Sequence, residues 1–310
     1  MPGSPFVSII TPSYNQGRFL EQTILSVLEQ DYPDIEYIII DGRSTDNSLE
    51  IIQHFADQLA YWESQPDHGQ ANAINKGLRR SQGEILGWLN SDDLLAPGAV
   101  RKVVQVFLNN PDVDVVYGRL ERIDEQGRLI PTPRLPKDRI EFRKDLVINE
   151  CLVNQPGSFW RRSIMDEVGL LNEELVYNLD YEYWIRLALQ GANFMKLPDI
   201  VASFRLSSKS KTVQHTAAMA EEQLQILNDL LAQPDLAMKL ELSNEELVRQ
   251  SRTARSVISL HAFYGKAKER NWKHASKWLI YSLQNDPFAI FQTRWLMLAG
   301  TSLKRHLFVD

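Results

Sequence analysis

The sequence predicts an α/β fold built on a mostly parallel sheet, followed by an all-helical extension. Short apolar runs bounded by Gly and polar residues, such as residues 85–89, read as buried strands of a parallel sheet. Segments of helical apolar spacing lie between these runs, which makes βαβ units. From His215 onward every patterned segment is helical. The expected division is therefore 1–212 and 213–310.

Residues 6–10 form the first strand, and Thr11 to Gly17 a loop rich in turn residues. Leu20, Ile24, Val27 and Leu28 share one face of a helix over 18–30, closed by Tyr32-Pro33. Residues 36–41 are a second strand ending in Asp41. Asn47 with Glu50 three positions later suggests a capping box for the next helix. A short strand over 59–63, a polar loop carrying Asp67 and His68, and a helix over 71–80 follow. The strand over 85–89 ends in Asn90-Ser91-Asp92-Asp93, and Pro97 opens a helix reaching about 109. Residues 113–117 are another strand, 127–148 a Pro- and charge-rich surface connection, and Ile164 lies in a helix. Asp180 opens a helix stopped by Gly191, before short strands over 194–197 and 200–204. Residues 207–212 are a Ser/Lys-rich loop. In the extension, 255–268 and 272–285 suggest a helical hairpin with Ala275, Leu279 and Leu283 on one face. Phe288, Phe291, Trp295 and Leu298 then form an apolar stripe beside Arg294, Lys304 and Arg305.

At 310 residues, 24% charged and 44% hydrophobic, the composition is that of a globular protein. The single cysteine, Cys151, excludes an internal disulfide and suggests a reducing, cytoplasmic setting. No signal peptide is expected, and no apolar run approaches bilayer-spanning length. Net charge is −6 but uneven: residues 249–310 hold eleven Lys/Arg against three acids, a net +8, leaving −14 for 1–248. Nucleic acid is not an expected partner. The basic end suits an anionic partner, such as the inner face of a membrane, or it is a solvated helical face.

In a parallel sheet the carboxyl ends of the strands share one edge, so the Thr11 loop, Asp41, the Asp67 loop and Asp92-Asp93 converge. No two glycines lie two residues apart, and no Gly-x-x-x-x-Gly-Lys-Ser/Thr run exists, so both glycine-rich phosphate-binding fingerprints are absent. Adjacent carboxylates at a strand end suit Mg²⁺ or Mn²⁺ carrying a diphosphate. The alternative is that Asp92 or Asp93 caps the helix near Pro97.

Residues 7–15 (VSIITPSYN), 39–48 (IIDGRSTDNS), 67–70 (DHGQ), 89–93 (LNSDD) and 180–187 (DYEYWIRL) together resemble family 2 glycosyltransferases of the GT-A fold. The resemblance covers about 5–212. It implies metal-dependent, inverting transfer of a hexosyl group from a nucleotide-diphospho-sugar, with UDP-sugar expected, to a saccharide or lipid-linked acceptor. It puts Thr11, Pro12, Tyr14 and Asp41 at the base and ribose, with Asp67 and Lys76 in the donor pocket. Asn90-Ser91-Asp92 falls on the family's Asp-x-Asp motif, with Asp92 and Asp93 left for the metal. Asp180 falls on the catalytic base and Arg205 on a diphosphate contact, while Ser207 stands where many relatives have His. Gln155 and Trp160 are expected on the acceptor side. Alternatives stay open at several positions: Asp180 as a helix N-cap, Trp160 as core, Lys76 as a solvated residue and His68 as a loop residue. A nucleotidyltransferase and an inactive nucleotide-sugar-binding module are the competing functions.

Overall fold

The computed structural model describes residues 4–131, 142–207 and 210–288. Two compact units emerge, Met1–Ile140 with Cys151–Ser207, and Glu141–Glu150 with Ser208–Asp310. The first begins β1 (Val7–Ser13), α1 (Gly17–Leu28), β2 (Ile35–Asp41), α2 (Ser48–His54), β3 (Tyr61–Ser64) and α3 (Gln70–Arg80). It continues through β4 (Ile85–Trp88), β5 (Leu94–Leu95), α4 (Ala99–Asn109), β6 (Val115–Ile123) and β7 (Leu129–Ile130). The second unit then takes α5 (Phe142–Lys144) and a π turn (Asp145–Asn149). The first unit resumes with β8 (Ser158–Arg161), α6 (Arg162–Val168), α7 (Leu179–Gln190) and β9 (Phe194–Arg205). The rest of the second unit is α8 (Lys211–Gln214), α9 (Thr216–Leu231), α10 (Leu236–Lys239), α11 (Asn244–Lys268) and α12 (Trp272–Asn285).

Among the described residues nine strands form one sheet, ordered β3-β2-β1-β4-β8-β6-β9-β5 with β7 on β6. β3, β2, β1 and β4 run parallel, as do β6 and β9, while β8 is antiparallel to both β4 and β6. Ile9, Ile39, Leu20, Ile24 and Val103 form one buried core with their neighbours between sheet and helices. Residues 11–13, expected as loop, extend β1 alongside β2. The sheet tolerates Pro12 because β4 stops opposite Ile10, so the missing Pro12 N–H faces no strand. The two short strands expected over 194–204 are one strand, irregular in its register on β6. The capping box of α2 does not form: Asp46, not Asn47, accepts from Ser48 N (3.0 Å) and also from Gly17 N (2.9 Å), tying two helix starts together. Gly191 ends α7 in the left-handed region (φ 101°), as the sequence suggested.

In the second unit α11 packs on α9 and α12. Ser256 Oγ donates to Ser282 O (2.8 Å), and Thr253 Oγ1 to Asp286 Oδ2 (3.2 Å), pairings that make α11 and α12 an antiparallel hairpin. Ala275 faces into it, but Leu283 faces out, contrary to the expected shared face. Residues 146–148, expected on a surface connection, are buried within this unit. Among the described residues no helix is long and apolar enough to cross a membrane. Phe291, Arg294, Trp295, Leu298, Lys304 and Arg305 lie outside the described residues, as do Pro133 and Pro136.

Candidate active site

Parallel register aligns Ser13 of β1 with Asp41 of β2, and Asp41 with Ser64 of β3. Asp41 is fully buried, and its carboxylate accepts from Ser44 N (2.9 Å), Ser44 Oγ (2.5 Å) and Ser64 Oγ (2.6 Å). Thr11 is buried too, its hydroxyl 3.0 Å from the Tyr37 hydroxyl, and Pro12 is buried beside it. These residues are buried and brace the rim from beneath. Exposed Tyr14 and half-buried Asp67 are two of the outward groups at this end. They meet over Gly42, where a Cβ would lie 2.6 Å from Asp67 Oδ2 and 3.3 Å from Tyr14 Cδ2, so a larger residue there would push the Asp67 carboxylate aside. Lys76 pairs with Glu63 (3.4 Å). Exposed His68 uses its backbone N–H, which donates to Asn72 Oδ1 (3.3 Å).

β4 ends at Trp88, and the chain turns out of the sheet into the acidic tip. Asn90 Oδ1 accepts from Gln70 Nε2 (2.8 Å), while Asn90 Nδ2 donates to Gln155 Oε1 (2.9 Å). Gln155 Nε2 in turn donates to Trp88 O (2.8 Å). This chain of amides joins the start of α3 to the end of β4, and it puts Gln155 beside the tip as a bracing group. Asp93 is fully buried, with Oδ1 accepting from Arg205 N (2.9 Å). Burial, with the neighbouring Asp92 charge adding to it, holds the Asp93 carboxyl well above the usual carboxylate range. Arg205 is buried as well: Nε donates to Asp92 O (2.8 Å), Nη2 to Gln22 Oε1 (2.8 Å) and Nη1 to Asp124 O (3.2 Å). Its guanidinium lies 4.7 Å from the Phe19 ring centre.

Asp93 thus anchors the tip from inside, and Arg205 grips the tip's backbone. Half-buried Asp92 is the carboxylate that remains at the rim. Among the described residues no cluster of three or more His, Cys, Asp or Glu forms a self-sufficient cation cage. One hard carboxylate oxygen site fits an ion such as Mg²⁺ that keeps waters and takes its other ligands from substrate phosphates.

Asp180 lies in the first turn of α7, one residue inside the helix, and Asn178 occupies the N-cap position. The N-cap reading of Asp180 therefore fails. Asp180 is half-buried, and Trp184, one turn on and on the same helix face, stacks on Trp88 with ring centres 5.6 Å apart and planes 4° from parallel. Trp160 meets Trp88 edge-on at 5.3 Å and Trp184 at 5.6 Å, and it is wholly buried. Trp160 is thus core and not an acceptor-side platform. Because Trp88 stands two residues before Asn90, this aromatic block seats the start of α7 on the strand that carries the acidic tip. A second brace comes from Glu173, which accepts from Asn72 Nδ2 (2.7 Å) and Asn75 Nδ2 (2.8 Å) of α3. Sequence reading assigned no role to Gln70, Asn75, Glu173, Trp88 or Trp184. The i, i+4 spacing of Asp180 and Trp184 was the available signal for one of them.

The fold is the GT-A fold of glycosyltransferases. The chain belongs to glycosyl transferase family 2, whose family model matches residues 8–169. It is 30% identical over 193 residues to an uncharacterized glycosyltransferase of Rickettsia typhi, covering 59% of this chain and 58% of that protein. A Rickettsia conorii relative, 30% identical over 194 residues, is spanned over 31% of its length, so the chain matches only part of these relatives. An uncharacterized glycosyltransferase of Nostoc is 26% identical over 326 residues, covering 96% of each chain. Among solved structures, a mannosyltransferase from Pyrobaculum calidifontis in complex with GDP-Man and Mn²⁺ aligns with a TM-score of 0.59 at 19% identity, covering 94% of this chain and 89% of that one. Staphylococcus aureus TarS 1-349 in complex with UDP-GlcNAc aligns at 0.56 and 17% identity, covering 90% of this chain and 92% of that one. At these identities the structural likeness is one of fold.

Proposed function

We propose that the protein is an inverting glycosyltransferase that moves a hexosyl group from a nucleotide-diphospho-sugar, a UDP-sugar in our reading, to a hydroxyl of a saccharide or lipid-linked acceptor during envelope glycan synthesis. The observation that carries this reading is the stacking of Trp184 on Trp88, which ties the carboxylate of Asp180 to the strand ending in the acidic tip. Asp180 takes the proton of the acceptor hydroxyl as that oxygen forms its bond to the anomeric carbon. The bond from that carbon to the diphosphate oxygen breaks on the opposite face, so configuration inverts. Tyr14 and Asp67 border the base and ribose, and the bracing by Asn90, Asp93 and Arg205 fixes the tip. A Mg²⁺ or Mn²⁺ ion held by Asp92 would supply positive charge against the diphosphate. Nucleotidyl transfer gains no support from Arg18, the cation that follows the first strand's loop, because it pairs with Glu125 at 2.7 Å.

Thermal stabilisation by a panel of nucleotide sugars with Mn²⁺ present identifies the donor, since binding to the native state raises stability by mass action. With that donor, Asp180→Asn is expected to lower turnover roughly 10²–10⁴-fold while leaving nucleotide binding intact. Turnover at the original rate would remove Asp180 as the base. Donor binding without hydrolysis or transfer by the unaltered protein would favour the inactive binding module.

A further inference from the structure

α12 turns one face toward α11, through Ala275 and Ser282, and the opposite face to solvent. Along that outer face Trp272 (64% exposed), Ile280 (55%) and Leu283 (37%) make an apolar edge, and Phe288 (75%) follows just past the helix end. At helical spacing, exposed Lys273 and Lys277 form a cationic edge directly beside it. The turn entering α12 adds exposed Lys268 and Arg270. The sole acid from 268 to 285 is Glu269, and it pairs with Lys266 at 3.4 Å.

We propose that this face of α12 docks on an anionic lipid bilayer, with Trp272, Ile280, Leu283 and Phe288 entering the headgroup boundary and Lys268, Arg270, Lys273 and Lys277 meeting lipid phosphates. An apolar stripe with a tryptophan at one end and lysines alongside is the chemistry that an interfacial helix presents to such a surface. The long lysine stems lie along the apolar edge while their ammonium groups reach the headgroups. A second copy of this chain is a poorer occupant. A two-fold contact would set Lys273 and Lys277 against their own images, and this face has no acid to offset them. The inference goes beyond the proposed function and does not rest on its transfer chemistry, so the two fail separately.

The test is flotation of the full chain with vesicles of equal parts phosphatidylcholine and phosphatidylglycerol, and with phosphatidylcholine alone. Binding is expected only to the anionic vesicles and should weaken as salt rises. Lys273→Ala with Lys277→Ala is expected to weaken binding about thirtyfold at low salt, taking each basic residue at its usual contribution near a charged surface. Ile280→Ser with Leu283→Ser should release the protein as well, with unfolding temperature and donor hydrolysis unchanged in both variants. No flotation of the unaltered chain would overturn the proposal even with hydrolysis intact. Undiminished flotation of both variants would overturn it too, as would a dimer in sedimentation that the same substitutions dissolve.

Discussion

Asn90 occupies the position where the family motif begins with an acid, and its hydrogen bonds account for the amide. It must accept from Gln70 and donate to Gln155 at once, which a carboxylate does not do. In Asn90→Asp an acceptor would face Gln155 Oε1, and turning the Gln155 amide over would strip Trp88 O of its donor instead. Urea unfolding of this variant should show a loss of about 1–3 kcal/mol, the usual cost of orphaning a buried polar group. Unchanged stability would mean that the amide chain does not brace the tip. Glu173 gives a pH-dependent counterpart. Hydrogen bonds from Asn75 and Asn72, with Arg79 adding to them, hold its carboxyl below the usual carboxylate range. A depressed folded-state pKa means stabilisation that is complete above the unfolded value, about 4.3, and lost as pH falls through the folded one. Glu173→Gln should therefore cost about 1 kcal/mol at neutral pH, a modest figure because the site is partly open to solvent. Its unfolding curve should converge on that of the parent in acid, and a gap constant across pH would reject the assignment.

At the scale of elements, β8 packs tightly on β4 at the one β4 residue without a side chain. A Cβ on Gly87 would stand 2.8 and 2.9 Å from atoms of the Phe159 ring, closer than side-chain carbons approach. Gly87→Ala should destabilise by about 1–3 kcal/mol through overpacking, read as a lower denaturant midpoint at unchanged slope. A neutral outcome would mean that β8 slides freely on β4. The strands and helices themselves were legible, because apolar runs and helical spacing report burial directly. The paths of side chains beyond them were not. Asp93 and Arg205 carry charges and follow the motif order, so sequence alone reads them as ligands, whereas their burial depends on β9 returning beside β5 to lay Arg205 N against Asp93. Trp160 misled in the same way, since one sequence pattern serves both a sugar-stacking platform and a core tryptophan.

The molecule as a whole shows why a boundary near residue 212 read naturally and missed a feature. The helical unit is assembled from two separated stretches, and the earlier one, 141–150, hides a compact apolar run among charges. Leu146, Val147 and Ile148 are consecutive, a pattern that matches neither a strand with one wet face nor an amphipathic helix. The π turn lets all three bury together, within the unit where α11 packs on that turn. Leu146 is wholly buried, so Leu146→Ala removes packing that α11 relies on. The expected loss is about 2–5 kcal/mol for a buried leucine truncated without collapse of the site. Hydrogen exchange followed by mass spectrometry should register it as faster exchange in the amides of α11, whose opening then needs less free energy. Exchange in α11 at the parent rate would show that the helices stand without the 141–150 stretch, and that the break near 212 is the true limit of the helical unit.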